Sequence, residues 1–226
     1  MRITDRESKE DKARKLGPQV EPSHYFRREY DSKGRFISYW HQIDEILSLE
    51  PKSVLEVGIG NNLVANYLKW RGINITTIDI DERLNPDHVG SVLDMPFAGN
   101  SFEVVACYEL LEHLPYEDIP KSLYEIHRVS GRYAVLSLPD STRAYRLDIQ
   151  IPKIGELKRL ISLPRLRPPK HEFDGEHYWE IGKAGYPLQK VMDEMRSAGF
   201  EIKKTYRVFE VPYHRFFVLA KDEENG

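Results

Sequence analysis

A chain of 226 residues, 40% apolar and 31% charged, is long enough for one domain with a sizeable core and a heavily charged surface. Its 33 Lys and Arg against 36 Asp and Glu leave a net charge of −3, which offers no global attraction to nucleic acid. The single cysteine, Cys107, excludes an intrachain disulfide framework, no run approaches the roughly 18 apolar residues of a membrane span, and the charged N-terminus has no signal-peptide core, so a reducing, cytoplasmic setting is expected.

Residues 1–20 are polar and of mixed charge, and read as a frayed terminus or a surface helix. Tyr25, Phe26, Tyr30, Phe36, Tyr39 and Trp40 then cluster around a turn at 31–34. From Phe36 to Leu47 the apolar positions recur at helical spacing, ahead of Pro51. Residues 1–50 are thus expected to form a helical and aromatic cap segment before an α/β domain over 51–226. These aromatics are expected to pack on a core, with a place beside a ligand as the alternative.

From residue 54, strand and helix patterns alternate. Val54, Leu55 and Val57 form a first strand, which breaks into Gly58 and Gly60, and a helical pattern follows from Leu63. Residues 73–80 form a second strand, 89–93 a short third ending at Asp94, 102–107 a fourth and 133–138 a fifth, closed by Pro139 and Asp140. One or two helices lie within 110–127. Such alternation implies a mostly parallel, doubly wound sheet whose ligands bind beyond the carboxyl ends of its strands. The polar residues just past those ends are the site candidates: Gly58, Gly60, Asp79, Asp94, Tyr108, Glu109 and Asp140.

Residues 141–185 interrupt the pattern with Pro, Lys, Arg and aromatics, and are expected to form an inserted lid. Leu157, Leu160, Ile161 and Leu163 beside Lys158 and Arg159 give a basic amphipathic stretch within 153–170, interrupted at Pro164. A solvated lid helix, a binder of an anionic substrate and a membrane-surface contact are all open readings of it. A helix carrying Leu188, Val191, Met192 and Met195 follows, ended by Gly199. Residues 200–209 and 214–221 then read as two strands that pair as an antiparallel terminal hairpin on one sheet edge.

A Gly-x-Gly turn after a strand indicates a nucleotide and little more. A dinucleotide turn wants Gly or Ala three residues after its second glycine, where this chain has Leu63. Glu56, in the strand end, would repel a pyrophosphate and attract a cation. S-adenosylmethionine carries a sulfonium and an ammonium and has no phosphate.

The run Leu-Glu-Val-Gly-Ile-Gly-Asn-Asn at 55–62 resembles motif I of the class I S-adenosylmethionine-dependent methyltransferases, of the methyltransferase type 11-like kind. The resemblance continues through Asp79, through Val-Leu-Asp-Met-Pro-Phe at 92–97, through 101–114 and through 125–139, and so covers about residues 52–140. It implies a Rossmann-like, mostly parallel seven-stranded sheet with a reversed last strand. It further implies S-adenosylmethionine as donor and S-adenosylhomocysteine as product. The implied cofactor contacts are Glu56, Gly58, Gly60, Asn61, Asp79, Ile80, Asp94, Met95, Tyr108 and Glu109. The resemblance matches Asp79 to the acid that takes the ribose hydroxyls, with Asp81 outside that set as a second acid open to the same role, and Asp94 to the acceptor of the adenine amine.

Methyl transfer is an in-line displacement, so most of its acceleration can come from orientation, with a general base adding about 10²–10⁴-fold. Candidates for that base are Glu109 and His113 near the fourth strand and His171 and His177 in the insertion, with His177, Glu109 and His113 put forward as catalytic. In the resembling families the Glu-His pair seen here at 112–113 is largely structural. His171, Glu172, Asp174 and His177 match no strong ligand spacing, so no metal is expected. Cys107 reads as a small buried hydrophobe. The chain lacks an Asn-Pro-Pro-Tyr-like motif, and the acceptor is expected to be a small molecule enclosed by residues 21–45 and 141–185. The competing readings are a non-catalytic S-adenosylmethionine-binding partner protein and a methyltransferase acting on RNA, protein or a membrane-associated acceptor. An NAD-dependent oxidoreductase is a third, opposed by Leu63 and Glu56. Oligomeric state is left open.

Overall fold

The structure, a computed structural model, describes residues 17–163 and 165–221. Nine strands are present among them: β1 (Val54–Val57), β2 (Ile75–Asp79), β3 (His88–Val89), β4 (Phe102–Tyr108), β5 (Ser130–Pro139), β6 (Arg143–Ile151), β7 (Gly155–Leu163), β8 (Phe200–Arg207) and β9 (His214–Lys221). Seven form one sheet in the order β3-β2-β1-β4-β5-β9-β8. The first five run parallel, whereas β9 is antiparallel to β5 and to β8. The helices are α1 (Lys33–Ser48), α2 (Leu63–Trp70), α3 (Ile119–Val129) and α4 (Leu188–Ser197).

The sheet is covered on both faces, and alternate residues of its strands serve alternate cores. Leu55, Val57, Val105, Cys107, Ala134 and Leu136 pack with Ile119, Leu123 and Ile126 of α3 and Val191 and Met195 of α4. Val54, Val104, Ala106 and Val135 pack on the other face with Ile46 of α1 and Val64, Ala65 and Leu68 of α2. Burial on both faces is why Val54, Leu55 and Val57 of β1 are apolar without alternation. Cys107 is a core residue, as its apolar neighbours predict.

Local chemistry sets the element ends. Ser32 caps α1, its Oγ accepting from the Arg35 amide at 3.2 Å. Pro120 opens α3, where its missing N–H has no helical partner to lose. Gly199, at φ +95°, follows the end of α4.

Three segments differ from the sequence expectation. The third strand is only two residues long, because the chain turns at once and the Asp94 amide bonds the Ser91 carbonyl at 3.1 Å. Residues 110–118 form two single 3₁₀ turns around Pro115, leaving α3 as the one α-helix of that stretch. The insertion is a two-stranded antiparallel hairpin of β6 and β7, not a helix. Tyr145, Leu147, Ile149 and Ile151 repeat at period two, which places them on one strand face and pairs Tyr145 with Ile161 and Ile149 with Leu157. Arg146 ties the hairpin to the body through the Glu210 carbonyl at 2.8 Å. Pro164 and residues 1–16, on which two of the expectations fall, lie outside the described residues. No helix among the described residues is long and apolar enough to cross a membrane.

Candidate active site

The turn after β1 places Gly58 at φ +80°, Gly60 at +52° and Asn62 at +59°, and α2 starts at Leu63. A Cβ on Gly58 would stand 2.3 Å from Leu110 Cδ1, so the first glycine answers both a backbone angle and a close approach. Asp79, at the end of β2, reaches across to this turn. Its Oδ2 accepts from the Ile59 amide at 2.8 Å and its Oδ1 from the Asp81 amide at 2.9 Å. Burial raises its carboxyl above the usual range. Asp81 is committed elsewhere: Arg83 grips it with Nε at 2.8 Å and Nη2 at 2.9 Å, and holds its pKa down. The two acids that sequence alone leaves equivalent are therefore different, with Asp79 bound to the glycine turn and Asp81 to a guanidinium.

Glu56 is 3% exposed, and its Oε2 has no hydrogen-bond partner. Burial pushes its carboxyl up to about 8. A buried acid in this state is poised to become charged when a cation arrives.

Glu56, the glycine turn and Asp79 line one cavity. Tyr108 and Glu109 continue its wall from the end of β4. Tyr108 donates to the Gln42 carbonyl at 3.3 Å, joining β4 to α1. Glu109 sits at φ +47°, a left-handed angle for a side chain of its size, and its buried Oε1 has no hydrogen-bond partner. The segment before α1 roofs the turn. Tyr25 and Tyr30 meet edge to face with centroids 5.4 Å apart, and both lie within 3.6 Å of where a Gly60 Cβ would stand. Arg35 lies 4.5 Å over the Tyr30 ring, a cation–π contact that steadies the roof.

Glu112 and His113, from the 3₁₀ turn after β4, line the same cavity, as do Glu176, His177, Tyr213 and His214. His113 Nδ1 lies 2.9 Å from Gln19 Oε1 and 3.0 Å from the Glu176 carbonyl. Burial and the neighbouring His177 lower its pKa. His177 Nδ1 lies 3.3 Å from Glu180 Oε1, which also accepts from the Tyr213 hydroxyl at 2.5 Å. Burial opposes protonation of His177, but the bond to Glu180 and the charge of Asp174 outweigh it and raise its pKa. Glu180 is buried too, yet His177 and Tyr213 hold its carboxyl at about 2. Glu112 is 0% exposed with neither oxygen bonded, and burial followed by the charge of Glu109 pushes its carboxyl far up.

The fold thus gathers Glu56, Gly58, Gly60, Asn61, Asp79, Ile80, Tyr108, Glu109, His113 and His177 around one cavity. Asp94 and Met95 are not among its lining residues. The tight turn after Gly90 leaves Asp94 exposed and sends Met95 into the core, its amide donated to Glu125 Oε2 at 2.9 Å. Gly90, Ser91 and Val92 form the wall there instead. Asp140 also lies off the cavity, buried against Arg215 Nε at 2.7 Å. Among the described residues of the 141–185 insertion only 176–178 reach the cavity, and the β6–β7 hairpin does not line it. Asp174 accepts the amides of Glu176 and His177, and His171 bonds the His177 carbonyl at 2.7 Å, so both shape the loop that carries His177. Gln19, Glu112, Tyr213 and His214 were not singled out by sequence as site residues. Glu112 stood beside His113 in plain view, but its complete burial depends on contacts remote in sequence.

The family model described as Methyltransferase domain matches residues 55–135. The chain is 31% identical over 189 residues to the ubiquinone biosynthesis O-methyltransferase of Dechloromonas aromatica (strain RCB), spanning 66% of this chain and 77% of that protein. To the protein of the same name from Marinobacter nauticus it is 24% identical over 220 residues, spanning 89% and 84%. Among solved structures it shares its fold with the Burkholderia thailandensis 1,6-didemethyltoxoflavin-N1-methyltransferase with bound 1,6-didemethyltoxoflavin and S-adenosylhomocysteine. The TM-score there is 0.56 at 14% identity, over 92% of this chain and 93% of that one.

Proposed function

Since the chain belongs to the class I S-adenosylmethionine-dependent methyltransferases, we propose that it passes the methyl group of its cofactor to an oxygen of a small molecule held in its cavity beside Glu112, His113 and His177. The donor is S-adenosylmethionine and the product S-adenosylhomocysteine. The observation that carries the proposal is continuity: one cavity runs from the glycine turn to the corner made by Glu112, His113 and His177.

The adenosyl end is assigned to Glu56, Gly58, Gly60, Asn61, Asp79, Ile80, Tyr108 and Glu109, with Ser91 and Val92 taking the adenine wall in place of Asp94 and Met95. Glu56 and Glu109 supply negative charge toward the sulfonium and ammonium. Asp79, already an acceptor at the turn, faces the ribose hydroxyls. Residues 17–50 act as a cap on the catalytic domain, through Tyr25, Tyr30, Arg35 and Tyr39.

In the reaction an acceptor oxygen attacks the methyl carbon as its bond to sulfur breaks, and the bonding pair stays on sulfur. The cavity fixes the line of attack, which supplies most of the rate. A hydroxyl must also lose its proton, and the corner of Glu112, His113 and His177 is where it does so. The O-methyltransferase names of the relatives support oxygen as the nucleophile.

The test uses S-adenosylmethionine labelled in the methyl group, offered separately with small phenols and hydroxylated metabolites, with RNA and with protein. Label appearing in the small molecules, and lost in His177→Ala while S-adenosylhomocysteine still binds, supports the proposal. Label confined to RNA or protein overturns it, and no label in any pool returns the chain to a binding module.

A further inference from the structure

We propose that Glu112, His113 and His177 bind one divalent transition-metal cation, of the Zn²⁺ or Co²⁺ type, in the cavity that they line. One ligand atom from each of the three lies within 4.8 Å of the others. Bonds of roughly 2.1 Å at tetrahedral angles put donors about 3.4 Å apart, so small side-chain rotations close the set.

The hydrogen bonds of the two imidazoles fix which nitrogen is free. His113 Nδ1 faces two acceptors, the Gln19 amide oxygen and the Glu176 carbonyl, so it is the protonated nitrogen. His177 Nδ1 faces the Glu180 carboxylate and is protonated for the same reason. Both Nε2 atoms are left with lone pairs. An imidazole donating its other N–H to a carboxylate or a carbonyl is the usual support of a metal-bound histidine, because it fixes the tautomer and strengthens the donor.

Glu112 supplies the independent observation. It is completely buried, it lines the cavity, and neither carboxyl oxygen has a hydrogen-bond partner. Such a group costs free energy as it stands, and a bound cation relieves that cost. Two histidines and one carboxylate are the donors that borderline divalent metals accept, with further positions left for ligands from the cavity. His171 and Asp174, the other candidates nearby, are engaged by the backbone of their own loop.

The role of the cation in the reaction rests on the reading above: it would take the acceptor oxygen and make its proton easier to remove, and the proton would pass to Glu109, a lining carboxylate outside the ligand set. Its binding does not rest on that reading, and can be measured without donor or acceptor. The full chain, stripped with a chelator, is titrated with Co²⁺ and followed by visible absorption. One equivalent is expected to give the intense bands of a low-coordinate site. Glu112→Gln and the double variant H113A/H177A should each weaken binding at least tenfold, whereas His88→Ala, an exposed imidazole outside the cavity, should not change it. The thermal shift with S-adenosylhomocysteine verifies that each variant folds, and His177→Asn replaces the double variant where that one does not.

Absent bands, or binding unaltered in both Glu112→Gln and the histidine variants, overturn the metal site. Small-molecule methylation that persists without Co²⁺ binding would remove the metal and leave the proposed function standing. Co²⁺ binding without small-molecule methylation would do the reverse.

Discussion

Asp79 Oδ2 accepts the Ile59 amide proton at 2.8 Å, so the end of β2 holds the glycine turn that follows β1. The same carboxylate takes the Asp81 amide on its other oxygen. Asp79→Ala therefore strands two backbone donors and also removes the proposed ribose partner. Urea denaturation should register a loss of about 1–3 kcal/mol, the range for a buried group left without its partner. Calorimetry should register at least a tenfold loss of S-adenosylhomocysteine affinity. Asp81→Ala, which frees only Arg83, should leave that affinity within threefold. Equal losses in the two variants would show that the wrong acid has been assigned to the ribose.

Gly58 and Gly72 separate strain from collision. Both have positive φ, +80° and +85°, but an added Cβ meets Leu110 at 2.3 Å at the first and nothing within 4 Å at the second. Gly72→Ala should thus cost only the conformational penalty, about 1 kcal/mol. Gly58→Ala should cost more, and should abolish the thermal shift with S-adenosylhomocysteine, which for the parent is about 2.7 kcal/mol at a hundredfold excess over Kd. A shift that survives in Gly58→Ala would place the cofactor elsewhere.

What was legible in the sequence was what short-range chemistry dictates. The strand, the two glycines and Leu63 are consecutive, and Asp79 stands one βα unit further on, so spacing alone brought them together. The terminal hairpin was legible for the same reason. The β6–β7 hairpin was not. Its seven-residue tail 157–163 carries leucines that suit a helix as well as a strand, and the period-two run from Tyr145 to Ile151 that decides the matter belongs to the partner strand. Asp94 and Met95 stand outside the cavity lining because the chain turns directly after Gly90. The corner of Glu112, His113 and His177 was half legible. His113 and His177 were named, but they are 64 positions apart, and only the packed fold sets their rings 4.9 Å from each other.

Glu56 gives a pH test with a definite sign. Its carboxyl titrates near 4.5 when unfolded and near 8 in the ligand-free fold. Between those values the folded chain keeps a proton that the unfolded chain has lost. The contribution of Glu56 to stability must then decline as pH rises through that window. Glu56→Gln should flatten the decline in melting temperature between pH 5 and about 8. A cationic cofactor requires the ionised form, so the affinity of the parent for S-adenosylmethionine should increase toward pH 8, by up to tenfold per unit, and then level off. An affinity profile as steep in Glu56→Gln as in the parent would show that another group is responsible.

Asp140 stood among the strand-end candidates, yet its environment is that of a structural ion pair. It is 2% exposed, with Arg215 Nε at 2.7 Å, Arg207 Nε at 3.6 Å and the Thr142 amide at 2.9 Å. Arg207 is itself buried, and burial lowers its pKa against the pull of Asp140. Removing the carboxylate leaves two cations in a poorly solvated place, which costs more than the intact pair ever contributes. Asp140→Ala should therefore lose about 3–5 kcal/mol in urea denaturation. Asp140→Asn keeps an acceptor for the Thr142 amide but no charge for the arginines, and should lose less. Because Asp140 lies off the cavity, the folded fraction of either variant should bind S-adenosylhomocysteine as the parent does. A variant that keeps its stability and loses its cofactor would return Asp140 to the functional site.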